Sequence, residues 1–268
     1  MQLFDTHCHI HEAAGEDAIA DRWHKAGIFQ PDEVLDRARE AGVTRMVCVG
    51  CTLRDSKLAI DYSQTRNGVW ASIGIHPHEA QRYVRNQKAL DEFAALATRP
   101  KVVAVGECGL DYFYEHSSPQ DQAKILHFQL ELAQKHNLPM IFHVREAFDD
   151  FWKIFDQYKN IRGVVHSFTA GEKELGEILE RGLYVGVNGI MTFTKHVKQL
   201  NAAKAVPLSK ILLETDAPFL TPQPLRGTIN EPRHVNLVAN FLAELRGEAV
   251  EHFASETTRN AINLFGVS

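Results

Sequence analysis

No apolar run in the 268 residues approaches the roughly 20 that a membrane-crossing helix requires, so no membrane partner is expected. The opening Met-Gln-Leu-Phe-Asp-Thr-His has no basic segment leading into an apolar one, which makes the cytoplasm the expected location. Cysteine is scarce. The four residues Cys8, Cys48, Cys51 and Cys108 are too few for a disulfide framework in a chain this long, and Cys48-x-x-Cys51 falls in an apolar run that reads as a strand, so buried thiols are expected. Excess positive charge is missing as well. Lys and Arg total 29 against 34 Asp and Glu, and a net charge of −5 argues against a broad basic surface for duplex DNA. A substrate gripped by one or two phosphates needs only local positive charge, which bound metal ions would supply. Glycine-rich phosphate loops, a Gly-x-Ser-x-Gly nucleophile and a dinucleotide fingerprint are all absent.

What the chain does have is a regular alternation of short β-like runs with longer helix-like segments, the pattern of a parallel sheet with crossover helices. Eight strands are predicted at residues 3–9, 45–51, 70–76, 102–107, 140–145, 163–167, 183–187 and 211–216. Helices are predicted at 31–41, where Pro31 suits the first turn and Gly42 the stop, at 119–136, where Ile125, Phe128 and Leu132 mark one apolar face, and at 232–245 and 249–265. Eight βα units without a break in composition point to one domain over residues 1–268, an α/β fold of the TIM-like (β/α)8 barrel class, with an open doubly wound sheet as the alternative.

Candidate chemistry sits at the carboxyl ends of these strands, where barrel enzymes place their sites. Asp5, His7 and His9 alternate, so on a strand they share one face and two imidazoles can meet one ion. A His-x-His arises easily by chance among 14 histidines, so the pair means little alone. Glu107 follows an apolar run and is flanked by Gly106 and Gly109, which would let the backbone turn close to a ligand; its plain reading is a solvated loop acid. His143 and His166 each follow an apolar run, as a metal ligand or a hydrogen-bonded core histidine would. Glu214 and Asp216 share a face of the last strand, Asp216 nearer its end. Together, four histidines and two carboxylates suffice for two ions.

In its ordered motifs the sequence resembles the TatD family of metal-dependent deoxyribonucleases, amidohydrolase-like barrel enzymes. The motifs are Asp5-Thr-His-Cys-His9, Gly74-Ile-His-Pro-His78, Gly106-Glu-Cys-Gly-Leu-Asp-Tyr112, Phe142-His-Val-Arg-Glu-Ala147, His166-Ser-Phe-Thr169, Glu214-Thr-Asp-Ala-Pro218, and Arg226-Gly with Asn230-Glu-Pro232. The resemblance implies that His7, His9, Glu107 and Asp216 hold one ion and Glu107, His143 and His166 a second, with Glu107 shared. It implies phosphodiester hydrolysis, commonly removal of nucleotides from a 3′ end of DNA, with Mg²⁺ or Mn²⁺ as working metal. Zn²⁺ is also compatible with a donor set rich in imidazole.

On this reading Asp216 orients the attacking water and accepts its proton, and Glu107 is the second catalytic carboxylate. His76, Arg145 and Arg226 are the expected phosphate contacts. Asp5 and Glu214 are expected to fix imidazole orientation. Tyr112, Phe113 and Tyr114 either stack a base or pack the loop. The stretch 12–30 is longer than the family commonly has. It reads either as a lid in which Trp23 stacks a base and Arg22 or Lys25 touches phosphate, or as a short rim helix packed through Trp23 and Phe29. The competing functions are a small-molecule amide or ester hydrolase with the same metal chemistry and a non-catalytic barrel.

Overall fold

The computed structural model of the chain describes every residue except Met1, Asp17 and Glu115. Its strands are β1 (Leu3–Cys8), β2 (Val43–Val49), β3 (Val69–Ile73), β4 (Val102–Asp111), β5 (Met140–Arg145), β6 (Gly163–Val165), β7 (Tyr184–Val187) and β8 (Ile211–Leu213). They form one sheet in chain order. Parallel neighbours cannot be joined by tight turns, and helical crossovers fill the intervals. The strands are almost wholly buried, as expected where both faces of a parallel sheet are covered. This is the expected TIM-like (β/α)8 class.

Contacts group the chain into two compact units, one formed by the chain up to Cys48 with Ser167–Ser268, the other by Val49–His166. In the first, β7 pairs with β8 and β1 with β2. The exit of β8 lies against β1: Cys8 bridges Ala217, and the Thr6 hydroxyl donates to the Leu213 carbonyl at 3.0 Å. First and last strands are therefore neighbours, as a closed barrel requires and an open doubly wound sheet does not. In the second unit the order is β3, β4, β5, β6.

Local chemistry explains the best-defined helix. Pro119–His136 starts where Ser118 caps Asp121 N and Pro119 occupies the first turn, and ends at Asn137 in the left-handed region (φ 53°). The helix Pro31–Glu40 and the strand Met140–Arg145 lie where the periodicity puts them.

Three expectations are corrected. Strand β4 does not stop at Glu107 but continues to Asp111, because its ladder with β5 resumes at Cys108↔Phe142 and runs to Asp111↔Arg145. Strand β8 ends at Leu213, short of residue 216. The third concerns 12–30, where a 3-10 turn (Ile10–Ala14) leads to the helix Ala18–Lys25, and Trp23 is fully buried with its indole N–H donating to the His9 carbonyl at 3.1 Å. A buried indole has no face for a base, so the lid with Trp23 as its stacking surface is set aside. The rim helix holds for Trp23 but not for Phe29, which is 55% exposed and stacks on His24. Arg22 lies over the Phe219 ring. Among the described residues no helix is long and apolar enough to cross a membrane.

Candidate metal centre

In the first unit, His7 on β1 and His9, one residue past the end of that strand, lie together. Their rings meet edge to face at 5.1 Å. Asp216, three residues past β8, completes the group: its Oδ1 lies 3.5 Å from His7 Nε2 and 3.4 Å from His9 Nε2. The backbone there is left-handed (φ 60°), a conformation aspartate tolerates better than most residues. It is held by Asp216 N donating to the His7 carbonyl and Phe219 N donating to the Asp216 carbonyl, each at 2.8 Å.

Asp5 does not orient an imidazole as expected. Its carboxyl takes Thr215 N at 2.9 Å, Thr215 Oγ1 at 2.5 Å and the backbone N–H of His7 at 3.2 Å. Burial pushes its pKa well above the usual carboxylate range, and the Thr215 bonds only partly offset this. Asp5 is thus a latch between β1 and the exit of β8. Glu214 accepts from Ser167 N at 2.6 Å and from the Asn188 amide at 3.2 Å, fixing the loop after β6 to the end of β7.

In the second unit, one carboxylate oxygen gathers imidazoles from three strand ends. Glu107 Oε1 lies 2.8 Å from His143 Nδ1, 2.9 Å from His166 Nε2 and 3.4 Å from His76 Nε2. Two glycines make this possible by letting β4 press on β5: a Cβ on Gly106 (φ 143°) would strike the Ile141 carbonyl, and one on Gly109 (φ 148°) the His143 carbonyl. The glycines therefore serve the approach of a neighbouring strand, not of a ligand. The Cys51 thiol donates to Glu107 Oε2 at 3.6 Å.

Burial alone would raise the Glu107 pKa, but the facing imidazoles of His166 and His76 and hydrogen bonds from His143 and His166 hold it well below the usual value. Burial lowers His76 to about 4 despite Glu107, so this ring is neutral. Its Nδ1 accepts from His78 N at 3.2 Å, which leaves the proton on Nε2. His143 is opposed by burial, yet its bonds to Asp111 and Glu107 raise its pKa.

Asp111, which was not among the candidate residues, proves central. It is buried, and its Oδ2 lies 2.9 Å from His143 Nε2 and 3.0 Å from His78 Nε2. Burial works against its charge, but the His143 and His78 hydrogen bonds keep its pKa below the ordinary range. A carboxylate on Nε2 holds a proton there, so Nδ1, which faces Glu107, is the nitrogen that would be bared to a cation bound between them. The clue was its spacing: Asp111 is four residues from Glu107, on the same strand face once β4 is known to continue.

Both groups suit a divalent cation. Imidazoles crowded on a carboxylate make a mixed nitrogen and oxygen donor set, and His76, Glu107 and His143 bring one ligand atom each within 4.8 Å of one another. The chain matches the family described as "TatD related DNase" over residues 4–266. It belongs to the TatD family. A Bacillus subtilis relative named "Uncharacterized metal-dependent hydrolase YabD" is 34% identical over 99% of this chain and 100% of its own. A Cronobacter sakazakii relative named "3'-5' ssDNA/RNA exonuclease TatD" is 36% identical over 87% of this chain and 91% of its own. Among solved structures, the Escherichia coli TatD homolog YJJV superposes with a TM-score of 0.87 at 28% identity, covering 99% of this chain and 98% of that one. As a TatD-family chain the protein is a metal-dependent hydrolase, in line with the motif resemblance.

The candidate phosphate contacts fall in different settings. His76 belongs to the Glu107 cluster. Arg145, exposed at the end of β5, lies over Phe113 at 3.9 Å and Tyr114 at 4.8 Å. Arg226 is exposed too, lying over Phe193 at 3.9 Å and donating to the Thr221 carbonyl at 3.0 Å.

Proposed function

We propose that this chain hydrolyses phosphodiester bonds in single-stranded DNA, releasing nucleotides from a 3′ end, and acts as one functional domain. Two divalent ions, Mg²⁺ or Mn²⁺ with Zn²⁺ as an alternative, are held by His7, His9, Glu107, His143, His166 and Asp216. The observation that carries this reading is the convergence of three imidazole nitrogens on Glu107 Oε1 at 2.8–3.4 Å. Cys8, Cys48, Cys51 and Cys108, which form no disulfide among the described residues, support a cytoplasmic setting.

Bound divalent cations supply a water of lowered pKa and positive charge against the phosphoryl and leaving oxygens. Asp216 orients that water and accepts its proton. Its carboxylate suits the task, being turned to His7 and His9 by a fixed backbone while its side chain keeps 17% exposure. Neutral His76 acts on the substrate through its Nε2 proton as a donor, not as a cation. Arg145 and Arg226 carry permanent charge and grip phosphate through their planar forks.

The test is a metal-stripped preparation given a 5′-labelled single-stranded oligonucleotide, with and without added Mg²⁺ or Mn²⁺. Stepwise shortening from the 3′ end that chelation stops and metal restores is the expected result. Turnover of amide or lactone panels with no cleavage of the oligonucleotide would reverse the assignment.

A further inference from the structure

Phe113 and Tyr114 are two of only four large hydrophobic side chains exposed among the described residues, at 49% and 44%. Side by side, they meet edge to face at 4.6 Å, and the Arg145 guanidinium lies over both. Arg145 stays exposed at the end of β5, so its guanidinium N–H groups remain open to a phosphate. Among the described residues no carboxylate stands within ion-pair reach of Arg145.

The segment that carries these rings is firmly built. Phe113 N and Tyr114 N both donate to Asp111 Oδ1 at 2.9 Å, the Tyr112 hydroxyl donates to Asp150 at 3.2 Å, and buried Ser117 donates to the His78 carbonyl at 2.8 Å. Rings held so firmly yet left in water forgo burial that would favour the fold. The same carboxylate that anchors them bonds the His143 ring through its other oxygen. His143 and Arg145 also share a face of β5. The aromatic surface is thus tied to the proposed ion-binding histidine through one side chain.

We infer that Phe113, Tyr114 and Arg145 form a platform on which a nucleobase of a single-stranded substrate stacks, while the Arg145 edge bonds the phosphate beside that base. The inference rests on the phosphodiesterase reading for the place of the scissile bond, but not for the stacking. Flat π-faces accept any base, so the platform favours an unpaired strand without selecting sequence. In a duplex the base faces are covered by their neighbours, which withholds the surface the platform needs.

The probe is a short oligonucleotide carrying 2-aminopurine near its 3′ end, bound in the presence of Ca²⁺, with a matched strand that is abasic at the same position. Wild-type protein should quench the fluorophore on binding. Phe113→Ala/Tyr114→Ala should lose the quench and bind about tenfold or more weakly, and Phe113→Leu/Tyr114→Leu, which keeps apolar bulk without the π-face, should resemble it. On the abasic strand all three proteins should bind alike. The platform is overturned if the alanine variant binds the base-containing strand within twofold of wild type, if the leucine variant keeps full affinity, or if the variants' loss persists on the abasic strand. Wild-type turnover of bis(p-nitrophenyl) phosphate with Mn²⁺ is measured separately. Its absence would sink the phosphodiesterase reading, while the quench still judges the platform.

Discussion

Asp111→Asn exchanges one carboxylate oxygen for an amino group at nearly constant volume, and the geometry dictates which one. Oδ1 accepts two backbone N–H groups, from Phe113 and Tyr114, each at 2.9 Å. The amide oxygen must stay there, so the NH₂ takes the Oδ2 position, 2.9 Å from His143 Nε2 and 3.0 Å from His78 Nε2. Two donors cannot face each other. The His143 proton therefore moves to Nδ1, the nitrogen 2.8 Å from Glu107 Oε1 and the atom the proposed ion needs bare. Loss of a carboxylate that orients a ligand histidine weakens metal binding by about 10–100-fold, or about 1.4–2.7 kcal/mol. The assay is calorimetric titration of Mn²⁺ into stripped wild-type and variant protein, with a thermal melt of each to show that both are folded. A folded variant that binds Mn²⁺ within twofold of wild type would refute the claim that Asp111 sets the His143 tautomer.

His143→Ala should lower metal-dependent turnover by at least about a hundredfold and reduce the metal retained after dialysis, read by elemental analysis. Gly109→Ala combines a backbone conformation costing about 1–3 kcal/mol with a Cβ that strikes the His143 carbonyl; the denaturant midpoint should fall sharply, and an unchanged midpoint would mean that β4 relaxes freely. Trp23→Ala opens a cavity in a fully buried site and removes the bond to His9; a loss of about 3–5 kcal/mol in chemical denaturation is expected, where a surface lid residue would cost almost nothing. Adding Mn²⁺ to the stripped protein should raise the melting temperature, by about 2.7 kcal/mol of stabilisation at a hundred times Kd, and a melt indifferent to metal would argue against a folded-state binding site.

The strands were legible because burial on both faces leaves continuous apolar runs, and the helix Pro119–His136 because its serine cap, proline and periodic face agree. Boundaries set by tertiary contacts were not. Nothing in Gly106-Glu-Cys-Gly-Leu-Asp signals that the chain stays extended, because the bonds that keep it so come from β5, and glycine reads locally as a turn. Cutting β4 short hid Asp111. Trp23 was open to two readings for a similar reason: its one decisive bond goes to the His9 carbonyl, fourteen residues away, and no local pattern records it.

The two ligand groups differ in what the sequence can reveal of them. His7 lies on β1 and His9 one residue past its end, so both imidazoles come from one short stretch, and only Asp216 must be brought from elsewhere. Around Glu107 each histidine arrives from a different place: His76 after β3, His143 within β5, His166 just past β6. No spacing rule links 76, 107, 143 and 166; what links them is a parallel sheet in chain order, which sets successive strand ends side by side. In such a fold, ligands drawn from successive strand ends become recognisable only once the strand order is granted, and every strand-end acid or histidine then gains meaning from its neighbours. The position that escapes even that argument is the residue just beyond the expected strand end. Asp111 occupies it, and there one carboxylate both orients a ligand histidine and anchors an exposed aromatic surface.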